Sequence, residues 1–335
     1  MIMKKNLYKI LKISLLFVSL LYLQTACKER DDYPKFEDEV EEPPVEDIIP
    51  PDNSPTVQFK RIMDNTTYVK TFQMDTTYSP RAGVEYIHAR FISNLDLPIS
   101  MHILEIDLTK ANVTMQVLSP YNDYLYATQH IHDMVSFNQA TSEGEIIAAT
   151  TGDANSSATA GGGYVKFGRV IQQLTGSTAQ TRPHIGVRKG SSVIEIFNSP
   201  NQATYPTDPI NYSQMKHLVG GANWLVFNND LIGTGDARAV RNAVGLTQDG
   251  QKVYVVTVDG IVANFSEGIG LGDLAKVMQA LGCYKAFQPV SGNSTSLVLK
   301  QPGDPKSDWI RKNILQTYAG GYTGIGFVLL GNNPN

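Results

Sequence analysis

The chain has 335 residues, 18% of them charged and 42% hydrophobic, with a formal net charge of −4. Those values fit a globular protein with a sizeable core and exclude a collagen-like or wholly disordered chain. The mild balance also argues against a nucleic-acid binder, which concentrates basic charge. The −4 is a sum over unlike parts. Residues 1–27 carry four Lys and no acid, residues 28–55 carry eleven acids against three bases, and residues 56–335 carry 21 of each sign.

Residues 1–26 read as an export signal. Lys4, Lys5, Lys9 and Lys12 form a positive segment, and the apolar run 13–23 that follows is short for a membrane span and suits a signal peptide. It ends at Thr25-Ala26-Cys27, which looks like a lipobox with Gln24 in place of the usual aliphatic residue. Cys27 is then the lipidated first residue of the mature chain; a plain secretory signal with an incidental Cys is the alternative. The charged residues after Cys27 resemble the acidic tract of some Gram-negative surface lipoproteins. The expected location is the cell envelope, lipid-anchored at the outer membrane, periplasmic or surface-exposed. With Cys27 lipidated, Cys283 stands alone and no intrachain disulfide forms; it reads as a small buried hydrophobe.

Residues 27–55 hold six of the 17 prolines and most of the acidic excess, so they read as an extended tether. Residues 56–83 are polar, rich in Thr and Tyr, and weakly alternating; an N-terminal extension forming an edge hairpin or a separate small element are both compatible. From residue 84 to 332 the pattern is that of one large domain. Residues 101–108 and 113–118 alternate as a pair of strands around the turn Lys110-Ala111-Asn112. Residues 130–141 are weakly helical. Residues 146–151 form a short apolar strand running into Gly152-Asp153. Further strands are expected at 164–172, 184–188, 193–197, 224–227, 241–247 and 252–258, the last two joined through Asp249-Gly250 as a hairpin. Leu271, Leu274, Met278 and Leu281 recur at helical spacing, with Gly282 suited to the left-handed position after the helix. Strands follow near Ala286, at 294–300 and at 323–330. Many strands, few helices and no regular βαβ alternation give an α+β fold with mixed, largely antiparallel sheets. Arg182-Pro-His-Ile-Gly186 and Arg241-Asn-Ala-Val-Gly245 echo each other, each before a turn and a second β run, as two equivalent hairpins or as a chance likeness.

No Walker loop, nucleophile elbow or His-Glu-x-x-His helix is present. His130-x-His132 would place two imidazoles on one face of a strand, but nothing nearby completes a metal set, so no metal and no cofactor is expected. Gly161-Gly162-Gly163 reads as a flexible loop, or as close backbone approach to a ligand. Asp153 and Asp259 each follow an apolar strand, where site carboxylates and turn residues both fall. Arg241 opens a strand; an Arg beside carboxylates can grip a phosphate through its planar fork.

The order of segments then resembles the phosphodiester glycosidase family, which includes the mammalian lysosomal uncovering enzyme; the chain looks like a divergent bacterial lipoprotein member. Residues 241–300 carry Arg-Asn-Ala-Val-Gly, the Asp-Gly hairpin, a strand ending in Asp259-Gly260, a helix and Ser291-Gly-Asn-Ser-Thr-Ser296. Thr151-Gly152-Asp153-Ala154-Asn155 stands where the family has an Asn-Gly-Gly/Asp-Phe-Phe segment. The resemblance implies hydrolysis of a sugar-1-phosphodiester on the glycosidic side, releasing the sugar. It implies Asp153, Asp259 and Arg241 as catalytic, and Gly152, Arg182, Gly292, Asn293 and Ser294 as substrate-binding. The expected partners are a glycan or sugar-phosphate substrate and, through the lipid, a membrane; no nucleic acid is expected. Where the family's last motif carries Asn, Asp and two Gly, this chain has Gln288, Val290, Ser291 and Asn293. Val290 cannot act as a carboxylate, so a second function stands beside the first: a surface lipoprotein of the same fold that binds glycan or phosphosugar without turnover.

Overall fold

The computed structural model describes residues 54–125, 127–153, 155–156, 159–300, 309–314, 322–323 and 326–331. The signal segment, Cys27 and the tether through residue 53 lie outside the described residues.

Among the described residues every strand pairing is antiparallel, and the fold is α+β. The largest sheet has eight strands in the order β1-β2-β3-β17-β16-β18-β14-β15. These are β1 Val69–Arg81, β2 Val84–Ser93, β3 Pro98–Asp107, β14 Asn223–Phe227, β15 Asp230–Leu231, β16 Arg241–Thr247, β17 Lys252–Val258 and β18 Cys283–Gln288. A five-stranded sheet runs β10-β9-β13-β11-β12, with β9 Tyr164–Lys166, β10 Arg169–Gln172, β11 His184–Arg188, β12 Ile194–Phe197 and β13 Met215–Gly220. A second five-stranded sheet runs β20-β19-β6-β22-β4, with β4 Val113–Leu118, β6 Glu145–Thr151, β19 Leu297–Lys300, β20 Trp309–Arg311 and β22 Gly326–Gly331. Two-residue pairs complete the pattern: β5 Gln129–His130 with β21 Tyr322–Thr323, and β7 Asn155–Ser156 with β8 Thr159–Ala160.

Side-chain alternation sends each strand of the large sheet into two cores. Leu104, Val244, Val255 and Phe287 pack on one face with Met115, Val117, Ala148 and Phe327 of one small sheet and Ile185, Val187 and Val219 of the other. Ile87, Ala89, Met101, Ile103, Ala243 and Val256 pack on the other face under two helices. The first helix, Val57–Asn65, buries Phe59 and Ile62; the second, Leu271–Ala280, buries Leu274, Ala275, Val277 and Met278. Thr56 caps the first by accepting from the Phe59 N–H, and Gly282 takes φ 96° just past the second.

Residues 56–83 form that first helix and the edge strand β1, which pairs with β2 through Arg81↔Val84 and is continuous with the large sheet. Two expected elements differ from what forms. Residues 101–108 and 113–118 are strands, but not partners. β3 lies between β2 and β17, β4 pairs with β22, and the short helix Leu108–Ala111 with Asn112 at φ 40° carries the chain from sheet to sheet. The run 164–172 is two strands, folded back at Phe167 and Gly168, both at positive φ. Cys283 is fully buried and burial pushes its thiol far up, as expected of a core residue. The His130/His132 pair shares no strand face: His130 precedes and His132 lies within the helix Ile131–Gln139, beside Asp133.

The echo between the two arginine segments is a true structural equivalence. Gly186 pairs with Glu195 in β11/β12, and Gly245 pairs with Tyr254 in β16/β17, the same separation of nine residues. On their other edges Gly186 faces Leu218 and Gly245 faces Ala286.

Candidate active site

The segments singled out by motif come together at the ends of their strands. The Gly221 N–H donates to Pro183 O, and the Ala222 N–H to Gln288 O. Ser291 bridges to Arg241, and the Asn242 amide donates to Thr151 O at 3.1 Å. Asp153, two residues beyond Thr151, returns to Arg182 through an ion pair of 2.6 Å. Strand ends from all three large sheets are thereby tied into one circuit.

Asp153 is fully buried, while the Arg182 side chain is 26% exposed. Room for the carboxylate comes from two glycines. A Cβ on Gly162 would lie 2.6 Å from Asp153 Oδ2 and 2.8 Å from Gly220 Cα; one on Gly220 would lie 2.7 Å from Gly162 Cα. Gly163 is equally confined, since a Cβ there would meet the Tyr212 ring at 2.6 Å, and its N–H donates to His184 Nε2 at 2.8 Å. The glycine run is therefore tight packing around Asp153 rather than a flexible loop. Because His184 Nε2 accepts, its Nδ1 carries the proton and donates to Arg182 O at 2.9 Å. Burial is the main cause that lowers the His184 pKa to about 4, and the ring stays neutral. Arg182 Nε is buried and has no hydrogen-bond partner among the described residues. A guanidinium anchored by a carboxylate at Nη2 and 26% exposed can offer its open edge, rather than the buried Nε, to an anionic oxygen.

Arg241 departs from expectation. Its Nε donates to Ile269 O, Nη1 to Gln288 Oε1 and Nη2 to Ala237 O, at 2.7–2.9 Å. It belongs to the face of β16 that carries Ala243, opposite the face carrying Asn242 and Val244. Each guanidinium nitrogen makes one internal hydrogen bond, so this Arg fixes the β16–β18 end. Gly292, Asn293 and Ser294 depart as well. The Gly292 N–H donates to Val240 O, and Ser294 O accepts from Thr151 Oγ1 at 2.7 Å, so this turn closes the circuit through those two groups. Asn293 is exposed, and Gly152 is buried between Thr151 and Asp153. Val290 is buried, its N–H facing Asn242 Oδ1 at 3.3 Å.

Asp259 is buried and surrounded by donors. Ser100 Oγ donates to Oδ2 at 2.6 Å, His102 Nε2 to Oδ2 at 2.9 Å, and the Ile314 N–H to Oδ1 at 2.6 Å. Tyr86 Oη lies 2.8 Å from His102 Nδ1, and His88 Nε2 lies 2.9 Å from Ser100 Oγ. Accepting three hydrogen bonds, this carboxylate holds Ser100 and His102 directly and His88 through Ser100. Those residues follow from register: His88, His102, Thr257 and Asn242 stand side by side across β2, β3, β17 and β16. The sequence offered a usable signal for them. Tyr86, His88 and Arg90, then Ser100 and His102, are polar at every second position of strands otherwise apolar. His88, His102 and Asp259 present ligand atoms within 4.8 Å of one another, the described group most able to approach a metal ion. The spacings of 2.6–2.9 Å that Ser100 and His102 make with Asp259 are closer than the ligand edge of about 3.3 Å set by zinc–nitrogen bonds near 2.0–2.1 Å. The cluster is a closed hydrogen-bond network as it stands.

The sequence model of the phosphodiester glycosidase family matches residues 140–315, a stretch that contains Asp153, Arg182, Asn242, Asp259 and Val290. The chain belongs to the phosphodiester glycosidase family. Among solved structures it is similar to the zebrafish N-acetylglucosamine-1-phosphodiester alpha-N-acetylglucosaminidase catalytic domain auto-inhibited by its pro-peptide, at TM-score 0.53 and 15% identity over 79% of this chain and 89% of that one. A protein from Burkholderia pseudomallei K96243 gives TM-score 0.53 and 11% identity over 78% and 97%. At these identities the likeness is one of fold. No curated protein matches the chain. In this member of the phosphodiester glycosidase family the matched motifs converge, and Arg182 among them is paired with a buried carboxylate.

Proposed function

We propose that the protein hydrolyses the glycosidic bond of a sugar-1-phosphodiester in envelope or host glycans, releasing the sugar and leaving a phosphomonoester. The observation that carries this is the Asp153–Arg182 pair: a buried carboxylate in a glycine-lined recess, bound to a partly open arginine. Arg182 holds a non-bridging phosphodiester oxygen. Asp153 fixes the guanidinium and supplies negative potential beside the positive charge that develops at the anomeric carbon. Asp259 acts at one remove by holding Ser100 and His102. The protein works at the cell envelope, tethered by a lipid on Cys27, and takes neither a cofactor nor nucleic acid.

The test is sugar release from a panel of sugar-1-phosphodiesters by the purified protein. Turnover is expected, with Arg182→Ala raising KM and Asp153→Asn lowering kcat by about 100-fold or more. Saturable phosphosugar binding with no release across the panel would establish the alternative, a binding lipoprotein. Labelled palmitate should enter the wild-type chain and not Cys27→Ser.

A further inference from the structure

The same face of the large sheet carries a second cationic site, away from the strand-end circuit, on its β1–β2–β3 side. Arg90 follows His88 by two residues on β2 and pairs with Ser100 of β3, so both point to the face that bears the Asp259 network. Its guanidinium lies 4.8 Å from the Phe265 ring, and its buried Nε has no hydrogen-bond partner among the described residues. Lys312 Nζ lies 4.8 Å above the Tyr78 ring and 5.3 Å above that of Tyr86. Tyr78 pairs with Tyr86 across β1 and β2, and its buried hydroxyl is likewise without a partner among the described residues. Neither Arg90 nor Lys312 is in an ion pair among the described residues. Burial lowers the Lys312 pKa, and Arg90 and Lys312 both act to lower that of His88. Tyr86, His88 and Arg90 follow one another at every second position of β2, with Lys312 and Tyr78 against Tyr86, so two cations, a phenol and an imidazole line one face whose buried acid, Asp259, accepts from Ser100, His102 and the Ile314 N–H.

We propose that Arg90, Lys312, Tyr78 and His88 form a binding site for a phosphate-bearing anion, distinct from Arg182. The described residues leave Arg90 Nε and Tyr78 Oη unsatisfied at the two ends of this row, and its two cations match a phosphomonoester dianion. His88 adds selectivity. Ser100 has one hydroxyl proton and gives it to Asp259, so the 2.9 Å contact with His88 is donated by His88 Nε2. His88 Nδ1 therefore keeps a lone pair. A phosphate, whose second pKa is about 6, can bring a P–OH to that nitrogen, whereas sulfate brings none at neutral pH.

The site does not depend on turnover, and binding alone tests it. Wild-type protein, Arg90→Met, Lys312→Met and Arg182→Ala would be titrated with inorganic phosphate, glycerol phosphate, a sugar phosphate and sulfate, following heat and the His88 imidazole resonances. The expected result is phosphate-class binding that shifts His88, with sulfate weaker. Arg90→Met and Lys312→Met should each weaken it about 10-fold or more, near 1.4 kcal/mol, while Arg182→Ala leaves it unchanged. Circular dichroism and melting show whether each variant is folded, and Arg90→Lys serves where Arg90→Met is not. Equal affinity for inorganic and sugar phosphate would mark a site for the free anion; tighter sugar phosphate would mark the glycan-linked group. No phosphate-class binding at millimolar concentration, or binding lost in Arg182→Ala and kept in Arg90→Met, overturns the proposal.

Discussion

Arg182 and Arg241 head equivalent hairpins in the same register, yet one is met by a carboxylate and the other by neutral oxygens. The difference lies in the neighbouring strand. Two residues beyond Leu218, which faces Gly186, stands Gly220; two residues beyond Ala286, which faces Gly245, stands Gln288. Gln288 fills its own position and supplies the acceptor for Arg241. Gly220 leaves a recess, and a third strand end delivers Asp153 into it. One copy of the motif is a structural clamp, and the other holds a buried charge pair with an open side. Breaking a buried pair is costly while keeping it adds little stability, so the two halves should differ most when each arginine loses its partners.

The comparison can be broken most severely at Gly220. Gly220→Gln would impose the clamp arrangement on the other half, with a Cβ 2.7 Å from Gly162 Cα and 2.8 Å from Asp153 Oδ2. Since Gly162 presents backbone, the clash is not relieved by a rotamer change, and a loss of about 3 kcal/mol or more is expected. Chemical denaturation checks this; a variant as stable as the parent would mean that the recess is pliable.

Removing each arginine separates the two halves next. Arg182→Met strands a buried carboxylate and should cost about 3 kcal/mol at neutral pH, the lower end for a broken buried pair because Arg182 is partly exposed. Acidification that protonates Asp153 should recover part of that loss. Arg241→Met leaves three neutral acceptors, should cost about 1–3 kcal/mol, and should show no such recovery. Identical pH dependence in the two variants would refute the contrast.

A smaller effect comes from His184, which links Gly163 to Arg182 O. Its folded pKa of about 4 lies below the unfolded value of 6.5, so the unfolded chain binds the extra proton between those values. Its contribution is fully present above pH 6.5 and is lost as pH falls toward 4, up to about 3 kcal/mol. Burial holds the His217 pKa at about 3, adding a second proton to the same acid limb. Urea midpoints from pH 7 to 4 should fall in wild type and fall less in His184→Gln. Parallel curves would remove His184 from the account.

Much of this fold was legible because strand alternation is a local property. The strands 184–188, 241–247 and 252–258, and the helix from 271, form where the pattern put them. The partner of β3 was not legible, since Val113–Leu118 alternates equally well whether it returns beside β3 or crosses to another sheet. At the site, Asp153 and Arg182 were both named, but their pairing depends on Gly162 and Gly220 vacating the same space, which no local pattern reports. The internal bonds of Arg241 were not legible, because two of its acceptors, Ile269 O and Ala237 O, are backbone groups invisible to residue type. His88 and His102 were missed because each looks like an isolated polar residue until the β2/β3 register places them face to face, their rings stacked at 4.5 Å.

The mildest perturbation probes the two equivalent glycines. A Cβ on Gly186 would lie 2.4 Å from His217 O, a backbone atom, while one on Gly245 would lie 2.5 Å from Cys283 Sγ, a side chain. Gly186→Ala has no simple remedy, because moving that oxygen means moving β13. Gly245→Ala should cost about 1–2 kcal/mol by overpacking, and Cys283→Ala, itself a small cavity elsewhere in the core, should restore about 1 kcal/mol in the double variant. Melting curves of the two singles and the double give the coupling directly. A coupling near zero would show that the β16–β18 contact absorbs the extra methyl by sheet movement, and that the clamp half is no more rigid than the half headed by Arg182.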